Sequence, residues 1–343
     1  MIIHQNFTGG NITLSKREGN TFYLENQLRD TVGDWFYWAF CVEDAEEGEF
    51  IFRFTDNRIG YWGPAVSKDL KEWYWLDTCD TESFKYSFAK GEKIYFAHHM
   101  LYHPDRFLEF AKENNIQIHE LCKSQKGRSV PCAILGNGEI SVILTARHHA
   151  CESTGSYVLE GVLKELLEHP HPNVRIFCVP FVDYDGVVDG DQGKSRAPHD
   201  HNRDYTDSPI YPEVAEIMNY VNNFGCDFGC DFHSPWHKGG ENDCIFVVRN
   251  SVEKQKKFDI FSAILESEIT ENSMIYLKNN DHQPFVGWNQ PSPSFACVMN
   301  SKPKTDLAFT LESAYFGTEK NKVSQARLLE LGSCFAKALK KYI

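Results

Sequence analysis

The 343-residue sequence contains no apolar run close to the roughly 18 residues that are needed to span a bilayer. Its N-terminus, MIIHQNFTGGNITL, lacks the basic start and the apolar core that define a secretory signal. Basic residues are in the minority, with 35 lysines and arginines against 48 aspartates and glutamates, and the net charge is -13. These absences predict a cytoplasmic protein that has neither nucleic acid nor a membrane as its partner.

A dense disulfide framework is also missing, although the chain has 11 cysteines. This odd number is spread from Cys41 to Cys334, which is typical of reduced thiols packed as small apolar side chains. The stretch CDFGCDFH draws attention as a metal motif. Strand alternation, however, places Cys226 and Cys230 on one face and His233 on the other, which favours core packing over a shared Cys-Cys-His site.

Two patterns follow each other along the chain. Up to about residue 115, short strands alternate with polar turns, which is typical of an all-β sandwich; these strands are DWFYWAFCV, GEFIFRF, KEWYWL, SFKYSF and KIYFAHH. After a short helix in HPDRFLEFAKENN, nearly apolar strands alternate with amphipathic helices, as expected for strands buried between helix layers. The sequence therefore predicts an N-terminal β-sandwich domain, residues 1–115, followed by an α/β domain, residues 116–343.

Side chains suited to catalysis follow the ends of the predicted buried strands. His149 and Glu152 come after ISVILTA, His233 ends CDFGCDF, Glu312 ends DLAFTL, and a long polar loop, residues 183–205, follows RIFCVPFV. Each residue alone has an ordinary explanation, such as a helix N-terminal carboxylate for Glu152 or a core histidine for His233. Because α/β enzymes place their active sites at the carboxyl ends of strands, the four clusters together predict one site.

The order of these motifs resembles that of the zinc metallocarboxypeptidases of the carboxypeptidase A type, and most closely their cytosolic branch. The matching elements, within about residues 130–343, are ARHHACE, DYDG at 183–186, DHNR at 200–203, DFHSPW and FTLES. The aromatic segment SFKYSFAKGEKIYFAHHMLYHPDRF also resembles the N-terminal β domain of the cytosolic branch. The resemblance implies a carboxypeptidase-like α/β/α domain with a central mixed sheet behind the β-sandwich.

The resemblance also implies one zinc ion per chain, bound by His149, Glu152 and His233. This His2Glu donor set is the one known for carboxypeptidase A, and it leaves one position open at the metal. His149 is preferred to His148 because only His149 has a glutamate three residues later. Asp200 would orient His149 by accepting a hydrogen bond from its second ring nitrogen.

The remaining roles are implied in the same way. Glu312 would act as the general base, and Arg196, or alternatively Lys194, would stabilise the charge that develops on the carbonyl oxygen. Asn202 and Arg203 would bind the substrate's C-terminal carboxylate. The expected reaction is hydrolysis of the last peptide or isopeptide bond of a peptide or protein tail.

Two departures from the family pattern concern specificity. DYDG stands where Asn-Pro-Asp-Gly is usual, and NQPSPSFACVMNSKPKTD before Glu312 holds no counterpart of the mobile tyrosine of carboxypeptidase A. Lys302 and Lys304 in this loop favour an acidic C-terminal residue in the substrate. Two alternatives stay open: an aspartoacylase-type zinc deacylase of N-acyl amino acids, which shares the zinc motifs, and a catalytically inactive binding relative.

Overall fold

The computed structural model describes residues 1–78, 80–236 and 243–343. Its N-terminal part consists of two sheets. The strands are β1 (Ile2–His4), β2 (Thr13–Glu18), β3 (Thr21–Glu25), β4 (Ala39–Glu43), β5 (Gly48–Phe54), β6 (Ala65–Ser67), β7 (Tyr74–Trp75), β8 (Ser83–Phe88) and β9 (Ile94–Ala97). The four-stranded sheet has the order β2-β3-β5-β8, and the five-stranded sheet has the order β1-β4-β9-β6-β7.

An aromatic core holds the two N-terminal sheets together, as the sequence predicted for a sandwich. Phe52 and Phe84 of the four-stranded sheet pack against Phe40 and Phe96 of the five-stranded sheet. Because side chains alternate along a strand, the other face of the five-stranded sheet carries a second apolar row that includes Trp75. This second row belongs to the main core of the C-terminal part.

The C-terminal part is built around a seven-stranded mixed sheet of order β10-β11-β13-β12-β14-β16-β15. The strands are β10 (Ile118–Lys123), β11 (Ser129–Leu135), β12 (Ile140–Ala146), β13 (Val174–Val179), β14 (Phe228–His233), β15 (Phe246–Val248) and β16 (Leu307–Glu312), and a small hairpin adds β17 (Gly317–Thr318) and β18 (Asn321–Lys322). The helices are α1 (Pro104–Glu113), α2 (Ser153–Glu168), α3 (Tyr184–Asp189), α4 (Pro212–Phe224), α5 (Gln255–Glu268), α6 (Phe295–Ser301) and α7 (Gln325–Tyr342), with single 3-10 turns at His201–Arg203 and Lys278–Asn280.

Helices cover both faces of this sheet. Apolar side chains of α2, α5 and α7 pack into the main core on one face, and those of α4 and α6 pack into a separate core on the other. The predicted α/β/α architecture with a mixed central sheet is thereby confirmed. Strands β12, β14 and β16 are parallel neighbours, so their carboxyl ends meet at one edge of the sheet.

Several elements were not predicted from the sequence. β2 is exposed throughout and β10 has no fully buried residue, so neither has the buried alternation that identifies a strand. The short helices α3 and α6 lie in segments that were interpreted as polar loops. Ten cysteines lie within the described residues, and most of them are buried. No helix among the described residues is long and apolar enough to cross a membrane.

Candidate metal and catalytic site

Three neighbouring strand ends bring the predicted residues together. His149 lies in the turn between β12 and α2, and Glu152 is the residue immediately before that helix. His233 and Glu312 end β14 and β16 and are direct partners in the register of these two strands. Gly155 lets α2 approach β14 closely, because a Cβ atom there would lie 2.9 Å from the backbone of Phe232.

The side chains of His149, Glu152 and His233 converge on one point. Nδ1 of His149 is 3.0 Å from Oε1 of Glu152, Nδ1 of His233 is 2.7 Å from Oε2 of the same carboxylate, and the two Nδ1 atoms are 3.2 Å apart. Two histidine nitrogens and a carboxylate at such distances can share a metal ion.

Each of these histidines has a carboxylate at its far ring nitrogen. Nε2 of His149 is 3.7 Å from Oδ1 of Asp200, and Nε2 of His233 contacts Asp231. Burial would raise the pKa of Asp200, but its contact with His149 and the positive charges nearby hold it well below the usual range. A carboxylate partner at Nε2 favours the tautomer that carries its proton there, which leaves the lone pair on Nδ1 for the shared centre.

Asp231 was not predicted from the sequence as a site residue, and its carboxylate links His148 to His233. Its Oδ1 lies 2.8 Å from Nδ1 of His148 and accepts a hydrogen bond from Thr145, while its Oδ2 contacts His233. His148, Asp231 and His233 therefore form a second group that could hold a metal ion. Both ring nitrogens of His148 already have partners, since Nε2 is 2.7 Å from the hydroxyl of Tyr205.

A third carboxylate-histidine group, Glu165, Glu168 and His169, lies at the C-terminus of α2. Glu168 and His169 are exposed there, and exposed acidic groups of this kind are common without a metal. The metal site predicted from the sequence lies at the buried strand ends and does not include this third group.

Glu312 lies beside this centre with one oxygen free. Its Oε2 is buried and has no hydrogen-bond partner among the described residues. Burial raises the pKa of Glu312 to about 7; the charge of His233 opposes this rise, and that of Glu152 adds to it. A carboxylate with a pKa near neutrality is suited to accept and return a proton.

A cleft opens over the centre, and Asn202 and Arg203 are among its walls. Nδ2 of Asn202 is 3.2 Å from Nε2 of His233, and Arg203 is exposed. The exposed Trp288, which the sequence did not identify as a site residue, stands at the same cleft. The lining is otherwise formed by His149, His233, Val248, Asn250, Asn289, Gln290, Ser292, Ser294, Thr310 and Glu312.

Arg196 does not line the cleft over the proposed metal centre, although the sequence predicted that it would stabilise the carbonyl oxygen there. Its guanidinium pairs with Asp183, Asp30 and Asp191 at 3.0–3.2 Å. Lys194, the alternative from the sequence, is the cation at the centre, because its Nζ contacts Oε1 of Glu152. A guanidinium held by three carboxylates is not available to a developing oxyanion in this arrangement.

Lys302 and Lys304 do not support the predicted preference for acidic residues. Nζ of Lys304 is 3.3 Å from a carboxylate oxygen of Asp227, immediately before β14. This is the amino end of the strand whose carboxyl end carries His233. Both lysines line a different pocket, with Val221, Phe224 and neighbouring residues. The inference from these two lysines was therefore wrong.

No protein-family model matches the chain. Among curated proteins, an uncharacterized protein of Zymomonas mobilis is 26% identical over 247 residues, which cover 65% of this chain and 64% of that protein. Cytosolic carboxypeptidase 2 of Danio rerio is 29% identical over 174 residues, which cover 44% of this chain and 23% of the relative. The chain thus spans less than two thirds of the length of either relative.

Solved structures match over nearly the whole chain. A metallo-carboxypeptidase from Burkholderia cenocepacia superposes with a TM-score of 0.83 and 18% identity, covering 99% of this chain and 98% of that one. A metallo-carboxypeptidase from Pseudomonas aeruginosa, in complex with (2-guanidinoethylmercapto)succinic acid, gives the same TM-score, identity and coverage. The chain has the metallo-carboxypeptidase fold, including its N-terminal β part, and the resemblance seen in the sequence is confirmed at this level.

Proposed function

We propose that this protein is a zinc-dependent carboxypeptidase that removes the C-terminal residue of peptides or protein tails. The observation that carries the proposal is the convergence of His149, Glu152 and His233 beneath a cleft that Glu312 and Arg203 line. We also propose that residues 1–115 and 116–343 are its two domains and that it acts in the cytoplasm, which the similarity to cytosolic carboxypeptidase 2 supports.

The donor set fits one zinc ion. Two Nδ1 lone pairs 3.2 Å apart, together with a carboxylate, would repel one another unless a positive charge lay between them. Burial lowers the pKa of His233, but the charges of Asp231 and Glu152 and their hydrogen bonds together raise it above its usual value, so these residues favour a cation at this place. Zinc would supply Lewis-acid chemistry there, activating water and polarising the scissile carbonyl.

The side chains of the protein supply the other steps. Glu312 takes a proton from the attacking water and returns it to the leaving amine. The ammonium of Lys194, buried beside Glu152, provides positive charge near the carbonyl oxygen, which is the role first predicted for Arg196. Asn202 and Arg203 bind the terminal carboxylate and thereby place the last peptide bond over the centre.

Trimming of C-termini tests this proposal directly. We expect digestion of a peptide library to release single C-terminal residues, and C-terminal amidation to reduce kcat/KM sharply. Arg203→Ala should cause a loss of similar size, and combining it with amidation should cost little more, because both changes remove the same contact. Mass spectrometry identifies the shortened peptides, and steady-state rates give kcat/KM for each enzyme variant and each peptide.

Arg203→Lys is the matched variant, since it keeps the charge and loses the bidentate geometry. We expect it to fall between the wild type and Arg203→Ala. Internal cleavage of an amidated peptide at an undiminished rate would reject the exopeptidase, and turnover of N-acyl amino acids in place of peptides would favour the deacylase. Zinc binding without turnover of either substrate would indicate an inactive relative.

Asp231 offers a second prediction. Asp231→Asn should weaken zinc binding by about 10–100-fold, because the neutral amide supports His233 less well than a carboxylate does. Competition with a chromophoric chelator measures this affinity. Asp227→Asn is the control, since Asp227 precedes the same strand at its opposite end, where it accepts a hydrogen bond from the backbone of Ser141. Equal zinc affinity in both variants would remove Asp231 from the site.

A further inference from the structure

A carboxylate from the N-terminal part organises the loop that carries Lys194. Oδ1 and Oδ2 of Asp30 accept hydrogen bonds from the backbone N–H groups of Gln192 and Gly193 at 3.0 and 2.8 Å. Gly193 has a φ of +76°, and a Cβ atom there would lie 2.1 Å from the backbone nitrogen of Ala150. Asp30 therefore fixes the two residues before Lys194 where the loop is pressed against the turn between β12 and α2.

Two further side chains from the same segment contact Lys194 itself. The hydroxyl of Thr31 donates a hydrogen bond to the carbonyl oxygen of Lys194. Nζ of Lys194 lies 5.1 Å from the centre of the Trp35 ring, within the range of a cation–π contact. The backbone and the ammonium of Lys194 are thus both held by residues about 160 positions earlier in the chain.

The other side of the ammonium faces the proposed metal centre. Nζ contacts Oε1 of Glu152 and lies 3.5 Å from the carbonyl oxygen of Ser234. The side chain of Lys194 is buried between these two oxygens and the ring of Trp35. The position of the Lys194 side chain therefore depends on the residues that surround it.

We propose that Asp30 and Trp35 are positioning residues of the active site, which hold Lys194 against Glu152 from the N-terminal part of the chain. The kinetic consequence rests on the proposed carboxypeptidase function; the position of Lys194 does not. The segment between β3 and β4 then contributes to catalysis through a lysine of the C-terminal part. Arg196 has a place in the same arrangement, because its ion pair with Asp30, at 3.2 Å, holds the far side of the loop.

Four variants test this proposal: Asp30→Asn, Trp35→Leu, Lys194→Met and the double variant Asp30→Asn/Lys194→Met. We expect Asp30→Asn and Trp35→Leu to lower kcat by about 10–100-fold with little change in KM, as for a displaced catalytic group. In the Lys194→Met background, Asp30→Asn should cost less than about two-fold more, because both changes act through one side chain.

Asp80→Asn is the matched control, since Asp80 also accepts hydrogen bonds from two successive N–H groups, those of Glu82 and Ser83, within the N-terminal part. It should leave kcat unchanged. The rate at which acetic anhydride labels Lys194 is a readout that does not depend on activity. Mass spectrometry measures this rate, with the exposed Lys164 as internal reference. Labelling of Lys194 should be at least about ten-fold faster in Asp30→Asn and Trp35→Leu than in the wild type or Asp80→Asn.

The outcomes separate the two proposals. Slow labelling of Lys194 in both variants, with kcat like that of Asp80→Asn, would overturn the positioning role and leave the carboxypeptidase intact. Multiplicative losses in the double variant would also overturn it, because Asp30 would then act by another route. Faster labelling in a protein that cleaves no peptide would support the positioning role and reject the proposed function.

Discussion

Glu312→Gln should lower kcat by about 10²–10⁴-fold while the protein keeps its zinc. Glutamine has nearly the shape of glutamate but cannot take a proton from the attacking water. Glu312 does not belong to the group of converging ligand atoms, and its Oε2 has no partner among the described residues, so little else depends on its charge. Single-turnover cleavage of a peptide, with elemental analysis of the same sample, measures both quantities.

Glu271→Gln is the control for this experiment, because Glu271 is exposed in the segment after α5. Its activity and zinc content should equal those of the wild type. Near-normal turnover in Glu312→Gln would assign the base to another residue. Loss of zinc in Glu312→Gln would instead place Glu312 among the metal ligands.

His149→Ala and His233→Ala should each reduce the zinc content from about one ion per chain to almost none. Either change removes one of the three proposed ligands and leaves Glu152 with a single histidine. Activity should fall in proportion to the zinc that is lost. Inductively coupled plasma mass spectrometry of purified protein measures the ratio of metal to chain.

Two other histidines are the controls for the zinc experiment. His171→Ala changes a residue in the loop before β13 and should keep the full zinc content. His148→Gln separates the two buried groups. It should retain zinc if His149, Glu152 and His233 are the ligands, and lose zinc if the metal lies between His148, Asp231 and His233. Full zinc in both His149→Ala and His233→Ala would refute the proposed ligand set.

The convergence of the strand-end residues could be predicted because it follows from the architecture. Apolar strands identify β12, β14 and β16, and parallel neighbours bring His149, His233 and Glu312 to one edge. The sequence also defines Glu152, since it lies three residues after His149. These positions depend on local patterns and on one rule of sheet topology, so they needed little knowledge of the tertiary structure.

The choice between Arg196 and Lys194 could not be made in this way. Both lie in one loop, and contacts with Asp30, more than 150 residues away in sequence, set the path of that loop. The position of Lys302 could not be predicted either. Its closeness to Glu312 along the chain does not determine whether it lies at the amino or the carboxyl ends of the sheet strands. Contacts between residues far apart in the chain determine where Arg196, Lys194 and Lys302 lie. No local pattern in a single sequence indicates such contacts.

The apolar outer face of the five-stranded sheet has a consequence for biosynthesis. Nε1 of Trp75 donates its hydrogen bond to the carbonyl oxygen of Val323, which the ribosome adds 248 residues later. The backbone N–H of Trp73 donates a hydrogen bond to Oε1 of Gln325, which is added after a similar interval. The nascent chain therefore carries an uncovered aromatic surface until α7 emerges, and a translational pause before that point would leave this surface open to aggregation or to a chaperone.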